Sequence, residues 1–118
     1  MKLNKQLKED YKQKKFNIGV FQIRNTINGK ILVGSSINLD AIWNRHKMEL
    51  KFGGHRNKTL QAEWKDLGEE NFRFEVLYEL EQKEGDNTDY SKEVKTLEEM
   101  FIEELQPFGE KGYHTLKA

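Results

Sequence analysis

Two β-rich runs joined by Asn28-Gly29 constrain this chain more than any other feature. In the first, 16–24, Phe16, Ile18, Val20 and Gln22 alternate with Asn17, Gly19, Phe21 and Ile23, so apolar side chains fall on both faces. A strand of that kind must be covered on both sides, which puts it in the middle of a sheet. Asn-Gly tolerates the positive φ that a type I′ turn needs at its two central residues, and this predicts a tight hairpin into a second strand at 30–33. A third run, 71–80, sets Phe72, Phe74, Val76 and Tyr78 on one face and Leu77 on the other.

The remaining periodicities are helical. Leu3, Leu7 and Tyr11 recur among lysines, which predicts a basic amphipathic helix over 1–15 ahead of a main domain at 16–118. Asn38 suits a helix N-cap and Asp40 the positive end of its dipole. Leu39, Ile42, Trp43, His46 and Leu50 then form one stripe, ended by Gly53-Gly54. Asn57 or Thr59 caps a second helix that buries Leu60, Trp64 and Leu67 and stops at Gly68. Residues 81–90 are polar and contain Gly85-Asp86-Asn87, a loop or insertion. Ser91 caps a last helix carrying Val94, Leu97, Phe101 and Leu105, which ends before Pro107. The order predicts an α/β chain of the α+β type, with a small three-stranded, mostly antiparallel sheet flanked by helices.

A chain of 118 residues has room for one core, and with no cysteine that core has no disulfide, thiolate zinc site or catalytic thiol to rely on. No apolar run approaches the roughly 18 residues of a membrane span, and the N-terminus lacks an apolar signal core, so the expected location is the cytoplasm with no membrane partner. The zero net charge hides an asymmetry: residues 1–58 hold 13 Lys/Arg against 4 Asp/Glu, and residues 59–118 hold 7 against 16. A basic half suits a phosphate backbone, whose counterions it releases. The alternative is that the halves interleave in space and cancel.

Taken in order, Gly19-Val20-Phe21, Asn28-Gly29-Lys30, Leu32-Val33-Gly34-Ser35-Ser36, Asn38-Leu39, His46, Gly54-His55-Arg56-Asn57-Lys58-Thr59-Leu60, Trp64, Gly68-Glu69-Glu70-Asn71-Phe72, and Pro107 with Gly112-Tyr113 form a specific series. Across 16–114 it resembles the GIY-YIG endonuclease family. The resemblance implies the family's sheet and a DNA partner. It also implies a site in which two tyrosines, an arginine on the first helix and a magnesium-binding glutamate at the end of the third strand surround the scissile phosphate. Those roles need a hydroxyl, a guanidinium and a carboxylate.

Carried onto this chain, the tyrosines fall on Phe21 and Leu32, the arginine on Ile42 and the glutamate on Tyr78, and none keeps its functional group. The family histidine is retained as His46, together with scaffold positions Gly34, Ser35, Asn38, His55 and Asn57; His114 stands at the family's late asparagine. The expectation is a nuclease-family domain that binds nucleic acid through Lys47, Lys51, His55, Arg56 and Lys58 with cleavage weak or lost. One alternative is a working Mg2+-dependent endonuclease using Glu79, His46 and Arg45, for which Glu79 needs a bulge to turn it toward the site. Another is a protein-interaction module built on the apolar replacements. Trp43 and Trp64, at core spacing, are expected to pack.

Overall fold

The computed structural model describes residues 17–82 and 89–115; the basic 1–15 segment and the centre of the 81–90 loop lie outside these. Ile18–Asn25 (β1) is central, paired antiparallel with Ile31–Ser36 (β2) and with Phe72–Leu80 (β3) in the order β2-β1-β3. Helices Leu39–Lys51 (α1) and Lys58–Leu67 (α2) supply Leu39, Leu50, Leu60 and Trp64 to a cluster with Phe21, Ile23 and Phe72. Ser91–Leu105 (α3) places Val94 in a second cluster with Ile18, Val20 and Val33. The two-sided apolar pattern of β1 thus has a physical cause, since each set of side chains meets its own helical layer.

Both expected asparagine caps form. Asn38 Oδ1 accepts from the Ala41 N–H at 3.1 Å, and Asn57 Oδ1 from the Leu60 N–H at 3.0 Å, so each fills a donor left orphaned by its helix. Asn57 Nδ2 also donates to the Tyr113 carbonyl at 2.8 Å, tying α2 to the C-terminal segment. That segment lies along the outer side of β2: the Tyr113 N–H bonds the Ile31 carbonyl at 3.0 Å, and the Val33 N–H donates to His114 Nε2 at 2.8 Å. None of the described helices is long and apolar enough to cross a membrane.

Three expectations are corrected. The hairpin is wider than a type I′ turn: its strands stop at Asn25 and resume at Ile31, and Gly29 has a φ of 79° while Asn28 stays out of the left-handed region. The buried Asn25 sets this loop, because its Oδ1 accepts from the Ile27 N–H at 2.9 Å while its Nδ2 donates to Glu63 at 3.0 Å and to the Tyr113 hydroxyl at 3.1 Å. In β3 the single-face alternation breaks at a bulge: Val76 pairs with Phe21 and Tyr78 with Val20, so Leu77 is the extra residue and packs with the α3-side cluster. On α3, Ser91 bonds Asp89 and does not cap the helix, Leu105 is exposed, and Glu98 takes a buried position beside Val94.

Candidate nuclease-like cleft

A cleft of about 330 Å³ opens around β2, walled by α1 on one side and α3 on the other. Its floor is apolar. Leu32 from β2 and Ile42 from α1 are half-buried against the α1-side core, where Phe21 is only 2% exposed. The register of the sheet sets Phe21 opposite Gly34, and a Cβ on Gly34 would stand 2.6 Å from the ring tip, so glycine is what lets the ring lie over the strand. His46 meets the Phe21 ring edge-on at 5.6 Å, and Phe74 stacks on it at 5.0 Å.

The histidines are arranged by their neighbours. His55 is buried; its Nδ1 accepts from the Asn57 N–H at 3.0 Å, so in the neutral ring the proton sits on Nε2, which donates to His46 Nδ1 at 2.8 Å. His46 Nε2 therefore carries a hydrogen and is a donor, suited to a phosphate oxygen rather than to taking a proton from water. Burial, reinforced by His55 and by the nearby Arg56 and Arg45, lowers His46 to about 4 against the opposing pull of Glu49. Burial also lowers His55. His46, Glu49 and His55 lie close enough to suggest a metal site. A metal on His55 Nε2 would push the proton onto Nδ1, against the Asn57 N–H, so this set fits a hydrogen-bonded histidine pair better than a cation.

The polar wall comes from α3. Glu98 accepts from the Ser35 hydroxyl at 2.7 Å through one carboxylate oxygen and from Lys95 Nζ at 2.8 Å through the other. Arg45 and Arg56 complete the lining from α1 and the following loop, Arg45 loosely paired with Glu49 at 3.9 Å.

No family model matches the chain. Intron-associated endonuclease 1 of Enterobacteria phage T4 is 36% identical over 62 residues, covering 52% of this chain, which spans about a quarter of that relative's length. The catalytic domain of the homing endonuclease I-TevI superposes with a TM-score of 0.69 at 28% identity, covering 85% of this chain and 99% of that one. A glutamate-to-alanine variant of the same domain gives 0.70 at 29% identity, covering 87% and 97%. The chain has the fold of that catalytic domain, and the similarity supports the GIY-YIG endonuclease resemblance.

Among the positions that the GIY-YIG resemblance singled out, Phe21, Leu32, Ile42 and His46 meet in the cleft, with Arg45, His55, Arg56, Ser35 and His114 beside them. Tyr78 and Glu79 are not brought there. Although the bulge that Glu79 needed is present, β3 pairs on the far side of β1 from β2, and both residues are exposed outside the cleft lining. Lys47 lies 5.2 Å over the Trp43 ring, Lys51 lines a separate groove and faces Glu69 at 4.0 Å, and Lys58 opens α2. Trp64 is buried, and Trp43, half-buried, stacks on Phe74 at 5.0 Å.

The residue that sequence reasoning missed is Glu98. As a single carboxylate it suits magnesium, which takes one or two carboxylates and keeps much of its water. It fits once Lys95, itself 62% exposed and able to swing out, vacates the second oxygen. Bound there, the ion would supply charge stabilisation to a phosphoryl group. The hydroxyl and guanidinium of the family's site have no counterpart at Phe21, Leu32 or Ile42.

Proposed function

We propose that this domain binds DNA at the β2 cleft and that its phosphodiester cleavage is weak or lost. The observation that carries this reading is the pairing of a basic rim, Arg45 and Arg56, with a floor of Phe21, Leu32 and Ile42 that offers no group to relay a proton or grip a phosphate. Guanidinium groups at the rim retain affinity for a backbone, while an aliphatic floor cannot stabilise charge developing on a phosphate. Lys47, Lys51 and Lys58 extend the positive face along α1 and into α2 in this reading, whereas His55, expected from the sequence to touch nucleic acid, is buried and neutral and serves only to orient His46.

The test is binding of a labelled duplex across a salt series. Neutralising Lys47, Lys51, Arg56 and Lys58 together is expected to weaken binding and flatten its salt dependence, since each lost phosphate contact removes about 0.9 from the log–log slope. Absence of binding at low salt would overturn the proposal.

Glu98 supports a second reading, a working Mg2+-dependent endonuclease centred on Glu98, His46 and Arg45 in place of Glu79. It requires plasmid nicking that depends on magnesium and disappears in Glu98→Gln. A protein-docking role draws less support, because Leu32 and Ile42 line a concave, half-buried floor and not a projecting patch.

A further inference from the structure

We propose that the cleft accepts one unpaired base of a DNA strand, with Arg45 and Arg56 holding the flanking phosphates. This deepens the DNA-binding reading and rests on it. The floor of the cleft and a phosphate are mismatched. A phosphate lowered onto Leu32 and Ile42 would lose its water to an aliphatic floor and keep one neutral donor at the wall, the His46 Nε2–H, a poorer setting than the guanidinium groups of the rim. The backbone therefore rides on the rim, where Arg45 is 64% exposed and loosely paired with Glu49 at 3.9 Å. The part of DNA that gains from an aliphatic floor is the base, whose faces are apolar.

The walls suit the edge of such a ring. Glu98 and Ser35 on one side and the His46 Nε2–H on the other offer an acceptor, a hydroxyl and a donor around the floor. A carboxylate is the natural acceptor for an exocyclic amino group of a base. The floor is also rigid: Phe21, beneath Leu32 and Ile42, is held between Phe74 and His46, so it need not be ordered when a base arrives. At about 330 Å³ the cleft is at the small end of ligand sites, the scale of one nucleotide unit and not of a paired duplex. A base inside a duplex is stacked and paired, and extruding it is least costly where it is already mismatched or unpaired.

The occupant is thus a bulged, mismatched or single-stranded base within a strand, and free nucleotides serve as the comparison. The experiment uses the full chain and 2-aminopurine as the probe base, placed as a single-base bulge in an otherwise matched duplex. Fluorescence is expected to rise about threefold or more on binding, as the base leaves its stacked neighbours for an aliphatic surface. An oligonucleotide identical but abasic at that position is expected to bind about tenfold more weakly. Ile42→Gln, checked for folding by thermal melting, should bring the bulged and abasic duplexes to the same affinity. Equal affinity for both duplexes with the unaltered protein, or unchanged fluorescence at saturation, overturns base insertion while leaving salt-dependent DNA binding standing. Tighter binding of free 2-aminopurine nucleotide than of the bulged strand would overturn the strand as the source. Failure to bind any DNA removes the underlying reading as well.

Discussion

His46 and His55 are the side chains whose protonation state the fold dictates most firmly. Both are depressed from the ordinary value, chiefly by burial, and so is His114, whose Nε2 must stay unprotonated to accept the Val33 N–H. The folded chain therefore binds fewer protons than the unfolded one below about pH 6.5, and stability present above that value is lost as pH falls toward about 4, where His46 protonates. Urea titrations should give a lower midpoint at pH 5 than at pH 7.5. For His46 the loss is about 1–2 kcal/mol once screening of a half-exposed ring is allowed for. His46→Asn should flatten the slope, and an unchanged slope would contradict a neutral histidine pair. At this scale the sequence was only partly legible. Phe21, Leu32, Ile42 and His46 were found because the family resemblance carries over position by position, and strand pairing and helical spacing then bring them to one place. Glu98 was not, because the resemblance set the metal-binding glutamate at the end of the third strand and not on the last helix. The available signal was its position four residues after Val94, a carboxylate on the buried face of an amphipathic helix.

Among the elements, α2 depends on a single side chain more than its apolar stripe suggests. Asn57 caps the helix with Oδ1 and holds the Tyr113 carbonyl with Nδ2, so Asn57→Ala should cost about 2–3 kcal/mol, the cap plus an unpaired carbonyl, and Asn57→Asp should restore only the cap. Denaturant midpoints check both. In β2, Gly34→Ala forces a methyl to within 2.6 Å of Phe21 and should lower the melting temperature while tilting the ring into the cleft. An unperturbed melt would contradict that packing. Strands and caps were legible because alternation and Asn preferences are local. The width of the hairpin and the bulge in β3 were not: the first is set by Asn25 reaching Glu63 and Tyr113, far along the chain, and the second by pairing with β1.

Over the whole molecule, the opposite charges of the two halves neither simply cancel nor separate. Arg45 and Arg56 from the basic half meet Glu98 and Lys95 from the acidic half across one cleft, so charge along the chain anticipated the rim and not the carboxylate wall. The fold is that of the I-TevI catalytic domain, and the proposed function holds that Phe21, Leu32 and Ile42 withdraw the groups the family reaction needs, a separation that can be tested directly. Plasmid nicking in magnesium should be measured for the natural chain, for a Phe21→Tyr, Leu32→Tyr, Ile42→Arg reconstruction, and for each with Glu98→Gln. The account predicts no nicking by the natural chain, and activity in the reconstruction that Glu98→Gln abolishes. Nicking by the natural chain that is lost on Glu98→Gln would contradict it.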